Sequence, residues 1–297
     1  MAKPFVKWAG GKRKLLSILE ANLPHDIYEQ EAVTYIEPFV GGGAMLFHVL
    51  QHHPNCRRII INDINPALIH CYRCIKDNHL QLIDELTILQ DLFYENSALE
   101  HRRAVYCALR DEYNQMPIEE RNTTRAAALF LFFNKTCFNG LYRENKQGGF
   151  NVPYGRYVHP TICNQPVIRD AHDVLQNVEI LCGNYPDVLS AIDWHGYNLF
   201  YLDPPYRPLL GANNFKQYTM SAFGDKEQEA LKVFCDEIHA HGGRFMLSNS
   251  DSEITPGVSY FETLYEDYHV QHIQAPRQIN AFVPGVHTAT EILVKNY

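Results

Sequence analysis

The chain has 297 residues, 46% hydrophobic and 20% charged, an ordinary globular composition long enough for one large core or a core plus a smaller domain. Its formal net charge of −8 excludes a uniformly basic nucleic-acid binder but leaves room for local basic patches such as Lys7, Lys12, Arg13 and Lys14. No apolar stretch approaches the ~20 residues of a membrane span, and the N-terminus lacks the apolar core of a signal peptide, so a cytoplasmic protein with no membrane partner is expected.

In chain order, the first strand-like run is Val33–Ile36, which leads into Glu37-Pro38-Phe39-Val40-Gly41-Gly42-Gly43 and then a helical run from Ala44 to Leu50. The second is Ile59–Ile61, followed by Asn62-Asp63 and a helix start with Asn65 as N-cap and Pro66 at the first helical position. That helix, Ala67–Ile75, carries Cys71 and Cys74. A lone C-x-x-C is a weak zinc signal, no histidine pair has H-E-x-x-H spacing, and no metal site is expected. From Lys76 to Ala128 only helical periodicity is visible, ending in the aromatic core helix Leu129–Phe133. Residues 134–157 are rich in Asn, Gly, Tyr, Arg and Lys. Strand-like runs resume at Val178–Leu181 and Leu199–Leu202. A helix over Lys226–His241 follows, then Phe245–Leu247 and an antiparallel-looking pair, Val270–Ile273 and Ile292–Val294.

Continuous apolar strands alternating with helices indicate an α/β fold, a mostly parallel sheet covered on both faces, with the C-terminal pair closing one edge. The helical middle reads as an insertion. The expected division is a catalytic domain over 1–75 and 165–297 and a target-recognition domain over 76–164.

Strand, glycine-rich turn, helix is a geometry in which a cofactor approaches backbone at a helix N-terminus. Asp63 stands about 20 residues past Gly43 at the end of the next strand, where an acid binds ribose hydroxyls. That spacing suits dinucleotides and S-adenosylmethionine alike. The run Asp203-Pro204-Pro205-Tyr206 separates them. Each residue before a proline is pushed towards extended backbone, and neither proline donates an N–H. The result is a stiff ledge carrying a carboxylate, a carbonyl and a phenol ring. Hydride transfer has no use for such a ledge. Methylation of an aromatic amine does, because two acceptors draw the nitrogen lone pair out of the ring and stabilise the charge that develops.

Six segments in this order resemble the Dam-like DNA adenine-N6 methyltransferases that act on GATC. They are Phe5-Val6-Lys7-Trp8-Ala9-Gly10-Gly11-Lys12, Glu37 to Gly43, Asn62-Asp63-Ile64-Asn65, Phe138-Asn139-Gly140-Leu141-Tyr142-Arg143, Phe150 to Tyr157, and Asp203 to Tyr206. The resemblance runs over most of the chain. It implies a Rossmann-like class I methyltransferase sheet with an inserted, mostly helical DNA-recognition domain.

The resemblance also implies roles. Trp8, Lys12, Phe39, Gly41, Gly43, Asp63 and Asp203 match positions that contact S-adenosylmethionine. Asp203, Pro204, Pro205 and Tyr206 match the catalytic turn. Lys7, Phe138, Asn139, Leu141, Arg143, Pro153 and Tyr157 match positions that contact double-stranded DNA, with Arg143 expected to read a guanine. Phe138 keeps a ring where relatives carry tyrosine but lacks the hydroxyl. The target adenine is expected to be flipped into the catalytic pocket. Residues 275–290, with Arg277, Asn280 and Pro284, match poorly and are expected to form a mobile loop near DNA. A monomer is the default expectation. Two rivals stand beside this reading: methylation of an RNA base or protein amide, and a non-catalytic DNA-binding module.

Overall fold

A computed structural model describes residues 1–207, 223–276 and 288–297. Its helices are α1 (Leu16–Ala21), α2 (Ala44–His52), α3 (Pro66–Tyr94), α4 (Leu99–Gln115), α5 (Thr124–Thr136), α6 (Gln165–Leu175), α7 (Asp225–Ala240) and α8 (Tyr260–Leu264). The strands are β1 (Val33–Glu37), β2 (Cys56–Ile61), β3 (Val178–Ile180), β4 (Tyr197–Leu202), β5 (Arg244–Ser250), β6 (Glu253–Thr255), β7 (Val258–Ser259), β8 (His269–Pro276) and β9 (Thr288–Lys295). Arg277, Asn280 and Pro284 lie outside the described residues, while Pro276 and Thr288 on either side of them are paired antiparallel. Among the described residues no helix is long and apolar enough to cross a membrane.

The chain forms two compact units. The first comprises Met1–Gly11, Gly41–His52 and Asp63–Gly183; the second comprises Lys12–Val40, His53–Asn62 and Asn184–Tyr297.

The second unit holds the sheet, in the order β2-β1-β4-β5-β9-β8. The strands from β2 to β5 are parallel, and β9 joins β5 and β8 antiparallel, as the sequence led us to expect of the C-terminal pair. Ile36, Ile60, Phe200, Leu202, Phe245 and Leu247 are completely buried, which is why these strands read as unbroken apolar runs rather than alternating ones. The fold is Rossmann-like. The chain leaves β1 for β2 on one side, and β4 lies on its other side. The carboxyl ends of β1 and β4 therefore flank a topological switch point, where open α/β sheets bind ligands.

The first unit is mostly helical. The helix expected over Ala67–Ile75 begins as predicted, with the Asn65 side chain accepting from the Leu68 amide at 3.0 Å and Pro66 following. It then continues to Tyr94, broken by one non-helical residue, Asn78 (φ −134°, ψ 32°). Helix α5 is buried along most of its length. Its Phe132 and Phe133 pack edge-on against Phe93 and Tyr106 respectively, supplying the apolar area that anchors α3 and α4. Cys71 and Cys74 are buried free thiols of α3.

Candidate active site

In the second unit the Asp203–Tyr206 turn leaves the end of β4 beside the end of β1. Asp203 Oδ1 receives two donors, the Lys12 ammonium at 2.8 Å and the Ser248 hydroxyl at 3.1 Å. Among the described residues nothing donates to Oδ2 or to the Pro204 carbonyl. The Pro205 carbonyl, by contrast, accepts from the Gln228 side chain at 3.2 Å. Tyr206 donates its hydroxyl to Glu291 at 2.7 Å, which fixes the ring edge, and Lys12 Nζ lies 4.5 Å from the ring centroid. Burial raises the Tyr206 pKa, and the nearby carboxylates of Asp203 and Glu291 raise it further, so the phenol stays protonated. A ring gripped at its hydroxyl stands at a defined angle and is suited to stacking.

Beneath this turn lies a buried polar layer. Tyr35 donates to Glu37 at 2.5 Å, both inside the sheet, and Tyr201 shares a hydrogen bond of 3.2 Å with Ser248. Burial pushes the Glu37 carboxyl up to about 8; the Tyr35 hydrogen bond opposes this, and repulsion from Asp203 adds to it. Phe39, half-buried just past β1, meets Tyr185 at 5.0 Å and Phe223 edge-on at 6.2 Å.

In the first unit the glycine turn is shaped by two aromatic residues. Gly41 (φ +48°) faces Trp8 so closely that a Cβ would lie 2.8 Å from the indole Cδ1. Gly43 (φ +70°) would place a Cβ 2.5 Å from the Tyr72 hydroxyl, which itself donates to the Gly41 carbonyl at 3.0 Å. Glycine is thus required at both positions by backbone conformation and by close neighbours. Asp63 accepts from the Gly41 amide at 3.0 Å through Oδ2 and from the Asn65 amide at 2.9 Å through Oδ1. Burial raises its pKa, and these backbone hydrogen bonds counteract the rise. The carboxylate at the head of α3 is therefore tied directly to the glycine turn.

The predicted DNA-contacting residues also belong to the first unit. Lys7, Asn139, Arg143 and Pro153 are exposed, and Tyr157 is half-buried. Phe138 and Leu141 are 51% and 42% exposed, large apolar side chains displayed to solvent. Asn139 (φ 55°) and Arg156 (φ 56°) hold left-handed backbone in the same segment, an uncommon conformation that concentrates at functional loops. The Tyr157 hydroxyl accepts from the Asn139 amide at 3.1 Å, and Lys7 Nζ lies 4.8 Å from the Tyr157 ring. The Arg143 fork is held by Asn151, with Nε donating to Oδ1 at 2.6 Å.

Asn134 joins the N-terminal segment to this loop. Its Oδ1 accepts from the Lys7 amide at 2.8 Å, and its Nδ2 donates to the Lys7 carbonyl at 2.7 Å and the Gly140 carbonyl at 3.1 Å. Sequence reasoning passed over Asn134, Tyr72, Gln228, Ser248, Asn249 and Glu291. Each acts through a partner distant in sequence, and no local pattern marks it.

Residues 8–279 match the family described as D12 class N6 adenine-specific DNA methyltransferase. The chain is 40% identical to the type II methyltransferase M.MjaIII of Methanocaldococcus jannaschii, over 99% of each chain. It is 34% identical to the type II methyltransferase M1.LlaDCHI of Lactococcus lactis, over 99% of this chain and 95% of the relative. It is also 31% identical to the DNA adenine methylase of Salmonella typhi, over 85% of this chain and 82% of the relative. A match of this length, together with the exposed loop and the acidic turn at the switch point, places the chain in the D12 class N6 adenine-specific DNA methyltransferase family.

Proposed function

We propose that this adenine-specific DNA methyltransferase acts on the adenine of GATC in duplex DNA, with the Asp203–Tyr206 turn as its catalytic seat. The observation that carries this reading is the pair of acceptors left open at the turn. Asp203 Oδ1 is occupied by Lys12 and Ser248 and the Pro205 carbonyl by Gln228, while Oδ2 and the Pro204 carbonyl have no donor among the described residues. An exocyclic amine has two N–H groups to place.

Family membership implies S-adenosylmethionine as the methyl donor. The residues present fit it in kind. Asp63 is a carboxylate already set for hydroxyl or amide donors, Lys12 supplies an ammonium, Trp8 supplies an aromatic face beside Gly41, and Phe39 supplies a further ring. We assign its binding to Trp8, Lys12, Phe39, Gly41, Gly43, Asp63 and Asp203, the positions that the family resemblance matched to cofactor contacts. When bound, it would supply an electrophilic methyl to the amine, and the rest of the molecule would leave as a neutral thioether.

The chain's own residues do the rest. Asp203 Oδ2 and the Pro204 carbonyl accept the two N6–H bonds, draw the nitrogen towards a pyramidal, nucleophilic geometry and stabilise its developing positive charge. Tyr206, held by Glu291, stacks on the flipped base. Lys7, Phe138, Asn139, Leu141, Arg143, Pro153 and Tyr157 hold the duplex, with the Arg143 fork reading a guanine. Residues 76–164 serve recognition, and residues 1–75 and 165–297 serve catalysis. We keep a cytoplasmic monomer, as expected from the sequence, as part of this reading. The RNA-base and protein-amide alternative and the non-catalytic module give way to the family membership.

The test is methyl transfer from labelled S-adenosylmethionine to GATC duplexes, to the same duplexes with each base changed in turn, and to RNA of the same sequence. Transfer to adenine N6 confined to GATC supports the whole reading. Transfer at another adenine-containing site keeps the chemistry and discards the assignment of Arg143 and its neighbours.

A further inference from the structure

We infer that Gln228 and Asn249 are positioning residues for methyl transfer, acting together to hold the Asp203–Tyr206 turn in the shape that leaves its two acceptors open. The inference rests on the reading that this turn is the seat of catalysis.

The two side chains form a directional relay inside the second unit. Gln228 Nε2 donates to the Pro205 carbonyl at 3.2 Å, and Asn249 Nδ2 donates to Gln228 Oε1 at 3.3 Å. Asn249 Oδ1 in turn accepts from the Arg207 amide at 3.1 Å. The ends of this relay fix its sense, because a carbonyl only accepts and a backbone amide only donates. Both side chains are completely buried, so water does not substitute for either partner. A buried amide pair with its ends satisfied specifies one arrangement of the groups it joins.

The relay grips the turn where the prolines do not. Pro204 and Pro205 fix their own φ angles, but the turn's exit at Arg207 has no such restraint. Gln228, on the first turns of α7, holds Pro205, and Asn249, near the end of β5, holds Arg207. The residue before it, Ser248, donates to Asp203 Oδ1. Adjacent residues of one strand point to opposite faces. The Ser248-Asn249 dipeptide therefore serves the entry of the turn with one side chain and its exit with the other. What remains open among the described residues is the Pro204 carbonyl and Asp203 Oδ2, the two groups assigned to the amine.

The experiment compares wild type, Gln228→Met, Gln228→Glu, Asn249→Ala and the Gln228→Met/Asn249→Ala pair. It measures the single-turnover methyl-transfer rate on a GATC duplex, the Kd for S-adenosylmethionine, the Kd for the duplex and the Tm. Gln228→Met keeps length without hydrogen bonds. Gln228→Glu keeps shape and the acceptor for Asn249 but, when ionised, removes the donor to Pro205. We expect each single variant to lose about 10- to 100-fold in rate, the scale on which a small misplacement of reacting groups acts. Both Kd values should stay within about threefold, and the double variant should be little slower than the slower single, since the two residues share one relay. A Gln228→Met or Gln228→Glu protein that folds and transfers methyl at the wild-type rate would overturn the inference. So would rate losses that multiply in the double variant, or losses matched by equal losses in affinity. Asp203→Ala, assayed alongside, separates the two levels. If it too keeps the wild-type rate, the catalytic reading of the turn has failed; if it alone is slow, only the roles of Gln228 and Asn249 have failed.

Discussion

The Lys12 ammonium lies 2.8 Å from Asp203 Oδ1 with only 4% of the lysine side chain exposed. The carboxylate of the Asp203–Tyr206 turn is thus neutralised by a residue distant in sequence, a cation that also faces the Tyr206 ring. A charge this buried is tolerated when paired and costly when alone.

Removing the cation therefore does more than remove a surface charge. Lys12→Met leaves the Asp203 carboxylate, 22% exposed and still held by Ser248, without its ion partner, and the folded state should lose about 1–3 kcal/mol. Urea unfolding at neutral pH reads this directly. A change within about 0.5 kcal/mol, the range of ordinary surface substitutions, would mean that the pair contributes nothing to the fold.

Glu37 sets a pH dependence of stability. Burial, the largest influence, holds its folded-state pKa at about 8, above the unfolded value. The folded chain therefore keeps a proton that the unfolded chain has released, and stability present at low pH is lost as the pH rises towards about 8. Glu37→Gln stays neutral in both states. The stability of the variant relative to wild type should rise with pH between about 5 and 8, by up to ~1.4 kcal/mol per unit, and level off above that. A difference that is constant across this range would show that Glu37 is ionised in the folded chain.

The glycine turn gives a prediction with a built-in control. Gly43→Ala forces a side chain into left-handed backbone and a Cβ to 2.5 Å from the Tyr72 hydroxyl. We expect a loss of about 2–3 kcal/mol. Adding Tyr72→Phe removes the clashing atom and should recover part of that loss, although Tyr72→Phe alone destabilises by removing the hydrogen bond to Gly41. A double-mutant cycle in thermal or urea unfolding measures the coupling. Strict additivity would place the strain elsewhere.

If the segment 134–157 reads DNA as proposed, Arg143→Ala should weaken discrimination at one base pair by about 1–3 kcal/mol while leaving the other positions of the target selective. Competition between duplexes changed at single positions checks this. A uniform loss across all duplexes would make Arg143 a phosphate contact instead.

Much of the fold was legible because its strands are buried on both faces and announce themselves as apolar runs. Val33–Ile36, Ile59–Ile61 and Leu199–Leu202 all fall inside observed parallel strands. The N-cap at Asn65 was legible because capping is local chemistry. The length of α3 was not, since the expected end at Ile75 lies three residues before Asn78, where the dihedrals falter but the helix resumes. The Asp203–Tyr206 turn could be singled out from four adjacent residues at the end of a buried strand. Its supports could not, because Lys12, Gln228, Ser248, Asn249 and Glu291 reach it through folding alone.

The most direct test of the proposed catalytic seat is Asp203→Ala, assayed for single-turnover methyl transfer and for duplex binding in the same preparation. Loss of one of the two amine acceptors should slow transfer by about 10²–10³-fold or more, with DNA affinity within about threefold of wild type. Transfer at the wild-type rate would contradict the assignment of Asp203 to the reacting amine.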